Sequence, residues 1–338
     1  MRRIIKVLLL ILLLSLVVLE SSAQTVTKNG VTYGISPADG IAYVSYTDYD
    51  IKGDITICES VEYSDILHIH DGVYPVVMIF NNAFTNRNIT SVTIPNSIKV
   101  ICGGAFSYCD LLQTVNMGSG VIEIQNGAFS CCNSLASITL PESVESIGDN
   151  AFMGCKNLYD VSFGENVRHI GYSAFEDCIS LHSITIPSSV IEIGKRAFKN
   201  CTNLYSATIN NWTVSEYEFS GCTTLQLLSF GSKVEQIEIA GFGGCTDLAF
   251  LNIPDNIQAI GSDAFYNCTG LTMVTIGDGV NRIYGSAFRG CNSLKSVSIG
   301  KGVEYIDMLA FLDCTRLSEI TIPKNVKEIG EGAFLSCI

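Results

Sequence analysis

Charge is scarce in this chain, and positive charge is scarcest. Of 338 residues only 16% are charged, with 20 Lys and Arg against 33 Asp and Glu. Such a shortage of cations lacks the footprint that phosphate binding needs, so neither nucleic acid nor an anionic membrane surface is expected as a partner. The signatures of catalysis are missing too. There is no G-x-S-x-G, no H-E-x-x-H, no phosphate loop and no G-x-G-x-x-G turn. Without them no catalytic residue, cofactor or metal ligand is expected. A second long apolar run is also absent. After the first 23 residues no stretch approaches the roughly 20 residues that a membrane-spanning helix needs.

What is present begins with a leader. Arg2, Arg3 and Lys6 precede an apolar run from Val7 to Leu19, and Ser21-Ser22-Ala23 follows it. That order reads as a signal peptide over 1–23, cut after Ala23. The mature chain would keep 17 Lys and Arg against 32 Asp and Glu. It is expected to be secreted or held at the cell surface.

The rest of the chain repeats itself. Phe84, Phe106, Phe129, Phe152, Phe175 and Phe198 open a series that continues through Phe219 to Phe334 in steps of 23, with one step of 22 and one of 21. Ala precedes the Phe in ten of the twelve cases; Glu218 and Gly241 are the exceptions. Ile or Val stands five residues before every Phe. A second block follows each Phe, Cys-x-x-Leu-x-x-Ile-x-Ile, as at Leu181, Ile184 and Ile186. Alternation in its last four residues predicts a short strand with two side chains inward and two outward. Pro or Gly then ends the strand, and a small turn-former precedes the Val. The Ala-Phe stretch reads as one helical turn or a tight bend. One such coil is too small to hold itself folded, so stacking must supply the core. The expected fold is a β-rich repeat solenoid with short helical turns and about eleven coils of 23 residues, occupying residues 85–338.

The segment from Leu135 to Cys155 carries the whole pattern, Leu-x-x-Ile-x-Leu-Pro-x-Ser-Val-x-x-Ile-Gly-x-x-Ala-Phe-x-x-Cys. It resembles the BspA-like, type-5 leucine-rich repeat proteins, and the resemblance covers about residues 54–338. It implies a surface or secreted protein without catalysis that binds other macromolecules, often as an adhesin toward host matrix or cell-surface proteins. A structural, self-assembling surface component is the alternative. A carbohydrate-active solenoid is disfavoured, because the acids that it would need on adjacent strands are missing.

Eleven of the fourteen cysteines stand three residues after the repeat Phe. Catalysis needs one activated thiol and not a series, and zinc needs paired ligands at short spacing. A ladder of small buried hydrophobes is the expected role, with disulfides the rival in an oxidising compartment. Cys58, Cys102 and Cys131 lie off the ladder and are the better candidates for a bridge. His68 and His70 alternate along "ILHIHDGVYPV", read as a hairpin around Asp71-Gly72, and lack a third metal ligand. Residues 24–84 form a β-rich cap with that hairpin inserted in the first coil. The chain stops at Ile338 without a matching cap, so self-association through the last coil is an expectation.

Two outward columns cross the strand face. In one, all eleven positions from Thr93 to Thr321 are Ser, Thr or Asn. That suits exposed strands and also suits hydrogen bonding to a ligand. The other is polar or acidic except for Leu227, Phe250 and Met273 in three consecutive coils. An apolar row of that size marks a protein-binding patch. Beside it lies the one 21-residue repeat, with Tyr205 and the sole tryptophan, Trp212. Its lost residues either push Trp212 outward or let it repack the core. Leu227, Phe250, Met273, Trp212 and Tyr205 are the candidate binding residues.

Overall fold

The computed structural model describes residues 24–337. The leader expected over residues 1–23 lies outside them. From Asn88–Ile94 onward each winding supplies a front strand after its Leu and a two-residue back strand around its Ile. Equivalent residues pair in parallel from winding to winding. On the front, Ser183 faces Ser206 and Ile186 faces Ile209; on the back, Ile124 faces Ile147. In Ser183–Ile186 the two Ile side chains are buried, while Ser183 and Thr185 meet solvent. The 23-residue spacing thus becomes register, and the solenoid follows from it.

The core is a set of columns. The rings from Phe84 to Phe311 are fully buried. Neighbouring rings stack from 4.8 Å to 5.4 Å between centroids, with planes within 12° of each other. Inward Ile, Val, Leu and Ala form parallel columns beside them. Removing one such ring leaves a void that its neighbours cannot close, at a cost of about 3–5 kcal/mol.

Among the described residues there is no helix. The Ala-Phe stretch is a chain of tight bends, which corrects the helical reading. The residue two before each Phe and the residue two after it both have positive φ, as at Ser173 (51°) and Asp177 (60°) around Phe175. Left-handed residues at that interval forbid a right-handed helix. The amides alternate instead. Ala174 donates to the Gly171 carbonyl of its own winding at 3.4 Å, and Phe175 donates to the Ala197 carbonyl of the next at 2.8 Å. The bends therefore act as a third ladder between windings.

At the N-terminal end, Gln24–Lys28, Val31–Ser36 and Ile41–Thr47 form an antiparallel meander. Ile41–Thr47 then pairs in parallel with Gly72–Ile79, which leads into the back ladder. Lys52–Thr56 pairs with Asn88–Ile94 and begins the front ladder. The hairpin does not turn at Asp71-Gly72. Its arms are Ser60–Tyr63 and Gly72–Ile79, so residues 64–71 are the loop and hold His68 and His70. Asp65 and Asp71 shape that loop: His70 pairs with Asp65 at 2.8 Å and His68 with Asp71 at 2.6 Å.

The 21-residue winding interrupts the back ladder. One sheet of ten strands reaches Glu192–Ile193, and a separate sheet of six begins at Thr213–Val214. The two missing residues fall in the turn between Ile209 and Val214. In flanking windings the residue after the back-strand Ile or Val donates its N–H to the equivalent carbonyl below, as Gly194 does to Ile170 at 2.7 Å and Glu238 to Val214 at 2.9 Å. Ser215 breaks the series. Its N–H donates to Glu218 Oε2 at 2.7 Å, and its hydroxyl donates to the Ile193 carbonyl at 2.7 Å. Gly241, the other exception in the Ala column, leaves room for this winding: a Cβ there would stand 3.0 Å from Val214 Cγ1.

Candidate interaction surface on the strand face

The cysteine column offers no reactive group. Cys109 through Cys314 are buried, and each Sγ–H donates to the Phe carbonyl of the preceding winding, as Cys132 does to Phe106 at 3.1 Å. Burial pushes the Cys109 thiol up to about 11 and those of Cys268 and Cys314 up to about 12. Thiols so placed stay protonated and behave as small apolar donors. Cys58 and Cys131 are partly exposed and lie apart from the column.

The outward side of the front strands carries the candidate site. Leu227, Phe250 and Met273 stand in consecutive windings there, 56%, 69% and 50% exposed, with the ladder interrupted between the first two. Met273 pairs directly with Phe250. Under them lies an open groove of about 610 Å³ that also takes in Thr208, Ser229 and Asn252. Strand parity fixes this exposure: Leu251 and Ile253 point inward and are buried, so Phe250 must face out.

Tyr205 adjoins the row, because the Leu227 amide donates to its carbonyl at 3.1 Å. Its ring is partly exposed and stacks on His182 at 5.6 Å, which in turn stacks on Tyr159 at 5.3 Å. Trp212 is elsewhere. It stands outward at the turn into the back strand, with Lys233 Nζ over its ring at 5.9 Å, and it does not line the groove. The groove thus takes in three of the five expected residues, Leu227, Phe250 and Met273; Tyr205 adjoins it through its backbone, and Trp212 marks its neighbour.

That neighbour is a notch of about 660 Å³. Asp160, Ser162, Glu165, Thr185, Asn210 and Lys233 are among the residues that line it. Of these, Asn210 lies in the shortened turn. Lys233 reaches back across the shortened winding and donates to the Ser188 carbonyl at 3.0 Å. Sequence reasoning noted the deletion but not the concavity.

Among the described residues, no group of three or more His, Cys, Asp or Glu is placed to hold a metal. No helix there is long and apolar enough to cross a membrane.

Parallel windings with an inward Leu, Ile, Val and Phe core define a leucine-rich-repeat β-solenoid. Within that class, the model of the BspA type leucine rich repeat region matches residues 77–205 and 212–338 in six copies, and the chain belongs to this family. The break between the matched segments falls beside Trp212. A leucine-rich repeat protein from Bacteroides ovatus is 25% identical over 93% of this chain and 92% of its own, with a TM-score of 0.59. One from Bacteroides capillosus is 35% identical over 41% of this chain and 97% of its own, with a TM-score of 0.36. A leucine rich cell surface protein from Faecalibacterium prausnitzii is 24% identical over 82% of this chain and 95% of its own, with a TM-score of 0.45. No curated protein matches the chain in sequence.

Proposed function

We propose that this protein is exported and binds another protein through its strand face, at the row of Leu227, Phe250 and Met273. One observation carries the reading: three adjacent windings expose large apolar side chains at a position that is polar or acidic in the other windings. Exposed apolar area costs solubility, and three such side chains around one groove supply a contact surface. Tyr205 at its edge adds an aromatic anchor. The family adds a surface or secreted setting, and an adhesin-like role toward matrix or cell-surface proteins fits both. The leader over residues 1–23 is the proposed route of export.

Phe250→Asp tests this. Phe250 is exposed, so the variant should fold with an unchanged melting curve. Capture of purified extracellular-matrix or cell-surface proteins on a defined panel should drop at least tenfold, since a buried apolar anchor contributes about 1.5–3 kcal/mol. Equal capture by the folded variant would overturn the reading.

A further inference from the structure

The apolar row is bracketed by charge. Three windings before Leu227 the same column carries Asp160, and two windings after Met273 it carries Glu319; serines fill the steps between. Asp160 and Glu319 are exposed and have no side-chain partner in the fold. The wider face agrees with them. Of the two outward positions on each front strand from Asn88–Ile94 to Glu319–Ile320, none is Lys or Arg. Most cations sit at turns and on the back, as Lys195, Arg196, Arg282 and Lys327 do, and several are held by carboxylates or tyrosine rings; Lys295, just before Ser296–Ser298 in the column of Tyr205, is the cation nearest the row. The Asp160 end opens into the notch, where Glu165 adds a second carboxylate. The one cation lining that notch, Lys233, is turned onto the Ser188 carbonyl and the Trp212 ring.

From this we infer that the partner presents an extended segment with apolar side chains in its middle and a basic residue at each end, lying across the strands along the column from Asp160 to Glu319. The inference rests on the binding reading of the apolar row and deepens it. Spacing sets the length. At about 4.8 Å per paired winding the two carboxylates stand at least roughly 34 Å apart and Phe250 at least roughly 19 Å from Asp160, the ladder being interrupted after Phe163 and after Phe230. An extended chain covers about 3.3 Å per residue, so roughly eleven residues bridge the ends. The apolar side chains fall near positions five to eight. A partner with acidic ends would meet Asp160 and Glu319 as like charges and be repelled.

The probe is a fluorescent peptide of about eleven residues, with Lys at both ends, Leu and Phe at positions five to eight, and Gly or Ser elsewhere. A matched peptide carries Glu at both ends. Fluorescence anisotropy should show binding of the Lys-ended peptide, weakened by added salt, and little binding of the Glu-ended one. The pair Asp160→Asn with Glu319→Gln should weaken the Lys-ended peptide roughly tenfold. A control pair on the back, Glu145→Gln with Glu328→Gln, makes the same change in net charge and should leave it unaltered. Equal loss in both pairs, equal binding of both peptides, or no loss in the front pair overturns the inference. If Phe250→Asp abolishes peptide and matrix-protein binding while the front pair does not, the apolar row stands and only its charged bracket falls. If Phe250→Asp leaves matrix-protein capture intact, both fall together.

Discussion

Glu218 is the residue that the repeat should not tolerate. It occupies the Ala column, fully buried, where most windings place a methyl group. Burial, reinforced by the charge of Glu238, pushes its carboxyl up to about 8 from an ordinary 4.5, despite the amide that Ser215 donates to it. The consequence for stability has a definite sign. Between pH 4.5 and about 8 the unfolded chain has released this proton and the folded chain still holds it, so stability falls as pH rises across that window and levels off above it. Glu218→Gln keeps an acceptor for the Ser215 amide and removes the charge. It should flatten that part of the pH profile and stabilise the protein at pH 8 by an amount on the order of 3–5 kcal/mol. Denaturant melts at pH 5 and pH 8 check this; a variant whose pH slope matches the parent would show that Glu218 does not titrate in the fold. Residue-scale reading of the sequence saw Glu218 only as a break in a series. Its partner could not be seen there, because the Ser215 amide is free only where the back ladder stops. The left-handed residues were hidden for a related reason. Arg196, Tyr217 and Leu309 hold positive φ but are not the residue types that announce it.

Among the strands, one inward position decides where the front ladder breaks. The last inward residue of each front strand is Ile, or Leu at Leu140, except in three windings, where it is Met117, Phe163 and Phe230. The front strands separate into four sheets, and the three interruptions follow those three windings. Phe163 and Phe230 pack edge-on against Phe175 and Phe242 of their own windings at 5.8 Å and 6.0 Å. The ring thickens the corner and spreads the next winding away. Each interruption also lies under a concavity: the groove beneath Phe250 follows Phe230, the notch at Asp160 follows Phe163, and a third hollow of about 530 Å³ surrounds Met117. Phe230→Ile should therefore restore pairing between Leu227–Phe230 and Phe250–Ile253 and make the groove shallower. Amide hydrogen exchange within Phe250–Ile253 should slow by about tenfold or more; unchanged exchange would refute the wedge. The strands and the outward apolar row were legible because parity fixes direction once the period is known. The grooves were not, because Ile and Phe satisfy the same inward pattern and differ only in how far apart they hold the windings.

Across the whole molecule, stability is carried from winding to winding, so a local interruption has consequences at a distance. At the shortened winding the ladders disagree. The back ladder is open between Ile193 and Val214. The front strand Ser206–Ile209 pairs on both sides, and Phe198 still stacks on Phe219 at 5.4 Å. The front of the solenoid is tied at this point, while the back strands are joined by the Ser215 hydroxyl in place of ladder pairing and the bends beyond them by Arg196 and Lys195 on Glu216, so the back ladder is weakened here. Mild denaturant should expose this as two cooperative blocks, one ending near Ile193 and one beginning near Val214, each exchanging its back-strand amides as a unit. Because the junction also contains Glu218, the separation should widen at pH 8 and narrow at pH 5, and Glu218→Gln should remove the difference between the two pH values. Native-state hydrogen exchange across residues 186–237 measures all three. A single block spanning Ile193 and Val214, or a boundary in another winding, would mean that the front pairing and the Phe stack carry the coupling without the back ladder.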